Sequence, residues 1–372
     1  MSSHSCSLKI VWWPAILGYL AGTAAFGQMA PRVAPVPPDP LELATGPVEL
    51  ANTPESRDAA LQLLARARQQ FALRSTSQAF DLKASFHVNS QGQTNHDGAW
   101  QMEDVFVPKQ GHRWTATSAS GYTTVNIAAN GKVYGDAAAD AVPLRLLEAR
   151  GVLFDPLQSP SYAGQGVIRT ASAMFHGAAV TCLLLSRSRT STRAASGRDW
   201  EETEECIDPQ SGLLQVHSEV PGRYAVYDYS QAPQFANRIL PHTVTVSEAG
   251  RVVSRITIES LGAPASSDPS LFVPSDAMKA RGEAVAMTSA TKVTRFHGEA
   301  PFTSAMTVHT VCVLGMVTAA GNFVEAHVLQ PSDPNAAAAL DDATKIDYAP
   351  QTPAGAPPRQ HFAFVIEKFV SK

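Results

Sequence analysis

From Ala79 onward, apolar and polar residues alternate in one segment after another. A period of two fits a half-buried β-strand and not an amphipathic helix. Phe80, Leu82, Ala84, Phe86 and Val88 share one side of the first run. Similar runs cover Trp100 to Val107, His112 to Ala119, Tyr122 to Ala128 and Val167 to Phe175, and the apolar run Val180 to Leu185 continues as a further strand. Others follow at Leu213 to Val220, Tyr224 to Tyr229, His242 to Glu248 and Val252 to Ser260. Asn130-Gly131 and His176-Gly177 punctuate them with residues suited to tight turns. Ahead of the strands, Thr53 and Pro54 offer a hydroxyl N-cap and a first-turn proline. Leu61, Leu64, Ala65, Arg68 and Phe71 then form a helical stripe. A shorter helical patch covers Pro143 to Arg150. One leading helix and many antiparallel strands predict an α+β, mostly antiparallel β fold, with a curved half-barrel sheet.

The pattern starts again after residue 305, with a strand from Met306 to Leu314, a turn at Ala319-Ala320-Gly321-Asn322 and a strand from Phe323 to Leu329. A helix from Asp333 to Ile346 and a strand from His361 to Phe369 complete a small ββαβ C-terminal domain. The chain therefore divides into an export segment (1–27), a proline-rich linker (28–52), the half-barrel (53–274), a connector (275–304) and the terminal unit (305–372).

Lys9 leads into the apolar run Ile10 to Phe26, and Thr23-Ala24-Ala25 or Ala25-Phe26-Gly27 offers the small residues that a signal peptidase reads. Cleavage there releases the protein; without cleavage, residues 10–27 contact the membrane as an inner-membrane anchor. Both readings place the remainder in the periplasm or cell envelope. Cys6 precedes the apolar run and is not a lipoprotein cysteine. In an oxidising compartment Cys182 and Cys206, on strands that fold back on each other, form a disulfide, and Cys312 is left as a buried thiol.

Lysine and arginine number 29 against 33 acidic residues, a formal net charge of -4, which leaves no basic field for nucleic acid. The chain lacks a Gly-x-Ser-x-Gly elbow. His309 and Cys312 fall on opposite faces of their strand. Neither His87, His96 and His112 nor His176, His217 and His242 have the spacing of metal ligands. No catalytic, cofactor-binding or metal site is expected. Between Ser186 and Glu205, Arg187, Arg189, Arg193 and Arg198 precede Glu201, Glu202, Glu204 and Glu205, so a hairpin there would pair a basic arm with an acidic one.

Gly321, the strand Val324 to Val328, Leu340 with Ala343, Tyr348-Ala349-Pro350, Gly355-Ala356-Pro357 and Phe369 occur in the order found in the C-terminal domain of the TonB energy-transducer family, which the terminal unit resembles. Ala320 and Ile346 stand where that family usually has aspartate and tryptophan. The resemblance implies that the last strand, His361, Phe362, Ala363, Phe364, Val365, Ile366 and Glu367, is an edge that takes up a peptide from an outer-membrane receptor or other envelope protein by strand addition. The leading helix, the successive alternating strands and the closing Phe272-Val273-Pro274 of residues 54–274 resemble the LolA/LolB type of lipoprotein carrier. That implies an apolar cavity for a lipid or lipoprotein, lined by Phe80, Leu82, Phe86, Trp100 and Trp114. The expectation is a non-catalytic binding protein with a possible place in envelope transport. A secreted hydrolase with an unfamiliar site and a structural envelope scaffold are the alternatives.

Overall fold

The computed structural model describes residues 32–33, 47–91, 94–137, 142–157, 166–186, 198–281, 290–298, 307–318, 320–348 and 361–371. The export segment, most of the proline-rich linker, Arg187, Arg189, Arg193 and the Gly355-Ala356-Pro357 turn lie outside them. No helix among the described residues is long and apolar enough to cross a membrane.

The chain enters through β1 (Arg32–Val33) and β2 (Glu49–Leu50) and forms α1 (Pro54–Phe71). A meander follows: β3 (Phe80–Val88), β4 (Gly98–Val107), β5 (Gly111–Ser118), β6 (Thr123–Ala129) and β7 (Lys132–Gly135). After α2 (Leu144–Phe154) come β8 (Val167–Phe175), β9 (Ala178–Ser186), β10 (Thr203–Ile207), β11 (Leu214–Ser218) and β12 (Arg223–Asp228). A short ribbon of β13 (Gln234–Phe235) and β14 (Arg238–Ile239) precedes β15 (Thr243–Glu248) and β16 (Arg251–Gly262). The remaining elements are α3 (Asp276–Arg281), β17 (Thr291–His297), β18 (Thr307–Val317), β19 (Phe323–Val328), α4 (Ala336–Thr344) and β20 (His361–Ser371).

Thirteen strands form one sheet in the order β2-β8-β9-β10-β11-β12-β15-β16-β3-β4-β5-β6-β7. The last strand of this region joins its first: β16 pairs antiparallel with β3, Ile256 opposite Phe86, and so fuses two meanders into one surface. The turns obey the sequence. Asn130-Gly131 and His176-Gly177 both have positive φ at their two residues, as tight hairpins require.

Helix α1 begins as its sequence dictates. Thr53 Oγ1 accepts from Ser56 N at 3.2 Å, Ser56 Oγ accepts from Thr53 N at 3.2 Å, and Pro54 sits in the first turn. Its buried face is Ala60, Leu63, Leu64, Ala67 and Phe71. This is rotated from the expected stripe: Ala65 is exposed and Arg68 half-buried. The small Ala60 and Ala67 let the helix backbone approach the sheet, and Arg68 turns its guanidinium onto the Leu157 carbonyl. The concave side of the sheet and the two helices form one apolar cluster. The convex side carries a smaller one around the disulfide, with Ala171, Phe175, Val216 and Tyr224.

The terminal sheet runs β1-β18-β20-β17, with β19 also on β18. Here the expectation for β20 is corrected. It is a central strand, antiparallel to β18 on one side and parallel to β17 on the other from Ala363 to Phe369. Strand β17 lies inside the segment expected to be a connector. Both faces of β20 are covered: Phe362, Phe364 and Ile366 pack toward α2, and Ala363 and Val365 toward α4. His361 to Ile366 is close to a continuous apolar run, as expected of a strand buried on both faces and not of a solvated rim.

Candidate functional site

The concavity is roofed mainly by the two helices, with the short β13–β14 ribbon adding Phe235 beside Phe80. Phe80, Leu82, Phe86 and Trp100 are all buried against Leu63, Leu64 and Phe71 of α1 and Leu146, Ala149, Val152 and Leu153 of α2. Phe86 and Trp100 lie stacked with centroids 5.3 Å apart. Trp114 stands half-buried at the margin of the cluster, under the Arg150 guanidinium at 4.0 Å. The structure therefore brings the five expected residues onto one face, four of them as packed core beneath the roof.

Helix α2 has three dissimilar faces. Leu146, Ala149, Val152 and Leu153 look into the concavity, whereas Leu144 and Leu147 pack on Leu314, Met316, Phe362 and Phe364 of the terminal module. Between those faces lie two charges. Arg145 donates to both oxygens of Glu248 on β15, at 2.7 and 3.0 Å, and to Glu148 at 3.1 Å. Glu148 also takes a hydrogen bond from Arg223 of β12, and Arg223 bonds Glu219. His217 holds Glu205 at 2.9 Å and Glu219 at 3.1 Å, one with each ring nitrogen. From the terminal module, His327 of β19 reaches Glu248 at 3.0 Å, and Glu325 accepts from the backbone N–H of Leu144 at 3.1 Å.

Arg145, Glu148, Arg223, Glu248, Glu205, His217 and His327 are all buried. Burial alone would push Glu248 up, but Arg145 and the His327 hydrogen bond hold its carboxyl well below the usual range. Glu219 is likewise held low against burial by Arg223 and His217. Burial opposes the charged His217 ring, yet Glu205 and Glu219 raise its pKa to about 10, so the ring is doubly protonated at neutral pH. Glu205 is raised by burial despite His217. A network of this kind replaces water by paired charges, and its members come from α2, the sheet and the terminal module.

Of these groups the sequence pointed only to His217, considered as a metal ligand, and to Glu205, in the acidic arm of the Arg/Glu loop. The available signal was an Arg145–Glu148 pair three residues apart inside an apolar helix, where a lone charge would be costly. In the Arg/Glu loop, Arg198 does bond Glu204, at 3.1 Å, while Glu202 pairs with Arg169 at 2.7 Å and Glu205 with His217. The disulfide joins Cys182 of β9 to Cys206 of β10, directly opposite residues with Cα atoms 3.9 Å apart. Cys312 is a buried free thiol whose pKa burial raises to about 12. Among the described residues, Cys182, Glu204 and Cys206 gather three potential metal-ligand atoms, but both sulfurs are held in the disulfide.

No protein-family model matches the chain, and no curated protein matches it. Among solved structures it is similar to a LolA superfamily protein from Nitrosomonas europaea, with 10% identity and TM-score 0.37, covering 58% of this chain and 97% of the other. It is also similar to a DUF1329 family protein from Desulfovibrio piger, with 9% identity and TM-score 0.37, covering 58% and 96%. A third similar structure is that of the MucA/MucB complex of Pseudomonas aeruginosa, with 16% identity and TM-score 0.26, covering 62% and 64%.

Proposed function

We propose that the chain is a non-catalytic binding protein, exported to the cell envelope, that holds a hydrophobic or lipidated ligand on the concave face of its half-barrel. The observation behind this reading is the roof. Among the described residues, a continuous apolar surface running from β8 to β5 is covered mainly by α1 and α2, with Phe235 and Leu240 of the β13–β14 region at its side. Lifting a helix uncovers a large apolar face, as a carrier that loads and unloads requires. The disulfide suits an oxidising compartment, and the apolar run Ile10 to Phe26 supports export.

The test is native mass spectrometry of protein purified from its own membrane fraction. A carrier retains a lipid or acylated peptide that is released on denaturation. Masses of apo protein alone, across preparations, would rule against it.

A receptor-peptide role for the terminal module is a second reading, favoured by its strand-strand-helix-strand order from β18 to β20. Since β17 occupies the outer edge of β20, strand addition there requires β17 to leave.

A further inference from the structure

At the end of α2 away from the terminal module, the C-terminal ends of both roof helices converge on β4 and β5. Asp104 of β4 is buried and uses both carboxylate oxygens: Oδ1 lies 2.6 Å from His112 Nε2, and Oδ2 accepts from Arg150 Nη2 at 3.0 Å. Arg150 continues outward over the rings of Trp114, at 4.0 Å, and Phe154, at 5.1 Å. The other nitrogen of His112 stands 3.5 Å from Nη1 of Arg74, which is exposed. Arg68, in the last turn of α1, donates Nε to the Leu157 carbonyl at 3.0 Å, while its buried Nη2 has no hydrogen-bond partner among the described residues.

The charges here do not balance. Three guanidiniums, of Arg68, Arg74 and Arg150, share this margin with two carboxyls, of Asp104 and Asp155. Asp104 is fully committed. Burial pushes the Asp155 carboxyl up despite Arg68 and Arg74 nearby, and no ion pair joins it to either among the described residues. Burial, with Arg74 and Arg150 adding to it, lowers the pKa of His112 in spite of Asp104, so the ring does not need a further anion. The carbonyl ends of two helices explain why cations collect here, because such ends attract them. They do not explain a buried guanidinium N–H that lacks an acceptor among the described residues, which leaves the desolvation penalty of a charged donor unrepaid. An oxyanion would satisfy it with charge-assisted hydrogen bonds. Trp114, Phe154 and Phe106 place the apolar cluster immediately beside the arginines.

We propose that Arg68 and Arg74, backed by Arg150, form an anion-binding site at the mouth of the concavity, and that the ligand is an amphiphile whose phosphate or carboxylate headgroup docks there while its chain lies under the roof. This rests on the carrier reading above and adds the chemistry of the headgroup.

The test uses the full-length protein with its disulfide formed, and four probes: palmitate, a palmitoyl lysophosphatidate, monopalmitoylglycerol and inorganic phosphate. The expected result is that the two anionic amphiphiles bind at least about tenfold more tightly than the neutral one. Arg68→Gln combined with Arg74→Gln should abolish that preference, so that anionic and neutral amphiphiles bind the variant alike. Arg66→Gln, which removes one positive charge from the exposed side of α1, should keep the preference. Equal binding of neutral and anionic amphiphiles by the wild type, or a preference that survives the double variant, overturns the headgroup site and leaves the carrier reading intact. Inorganic phosphate binding as tightly as lysophosphatidate would overturn the amphiphile and leave a site for the free ion. Binding of no acylated probe would overturn the carrier reading, and this inference with it.

Discussion

Arg145 and Glu248, 103 residues apart, face each other through two near-parallel hydrogen bonds of 2.7 and 3.0 Å inside the protein. The same carboxylate also meets His327 of the terminal module, so one buried side chain joins the sheet, the roof helix α2 and the second domain. Removing one partner leaves the other as a buried charge. Glu248→Leu should therefore cost about 3–5 kcal/mol of stability, measured by chemical denaturation. Arg145→Met with Glu248→Leu should recover part of that loss. A Glu248→Leu protein as stable as the wild type would mean that water reaches this network.

The pH dependence follows from two windows. His217 has a native pKa raised from 6.5 to about 10, so its stabilisation is complete below 6.5 and lost as pH rises through about 10. Glu219 and Glu248 have native pKa values depressed from 4.5, so theirs is present above 4.5 and lost only as acid reaches those low values. The windows overlap between 4.5 and 6.5. On the alkaline side the His217 contribution should fall by on the order of 3–5 kcal/mol between neutral pH and pH 11. Tm measured against pH should decline more steeply for the wild type than for His217→Gln. Parallel curves would show that His217 is not the group responsible.

The disulfide closes a loop with a sequence separation of 24 residues. Chain-entropy reasoning makes its loss worth roughly 3–4 kcal/mol, read as a fall in Tm for Cys182→Ala with Cys206→Ala. Alkylation of the unfolded, unreduced protein should label Cys312 and leave Cys182 and Cys206 unmodified. Labelling of all three would remove the cross-link, and with it the best structural sign of an oxidising compartment.

Legibility in the sequence followed the range of the forces. Local signals held: Thr53 and Pro54 start α1, Asn130-Gly131 turns β6 into β7, and the alternation of Phe80 to Val88 sets the inward face of β3. The Cys182–Cys206 pairing was legible because both residues lie in consecutive strands that pair antiparallel. What failed was long-range. Nothing near Arg145 announces Glu248, or near Glu248 announces His327. Strand β17 was missed because Thr291 to His297 is mixed in polarity and almost uniformly half-buried, so it lacks a clear two-residue period. Missing it turned β20 into an apparent edge.

That error has a testable consequence. If β17 shields β20, disrupting β17 should expose a row of backbone donors and acceptors beside an apolar strand, and such an edge recruits other strands. Val293 and Thr294 lie opposite Val365 and Ile366 in the parallel ladder. Successive residues in a strand direct their N–H groups to opposite sides, so a proline at one of the two must remove a bond to β20. Val293→Pro and Thr294→Pro should thus differ. One should lose about 1–3 kcal/mol from the terminal module and form dimers or larger species at high concentration, seen by size-exclusion chromatography with light scattering. The other should stay near the wild type. If the self-association also yields to an added receptor peptide, strand addition at β20 becomes the working mechanism of this module. If both variants stay monomeric and stable, β20 is protected by the packing of its two faces alone, and a peptide-binding role for it loses its physical basis.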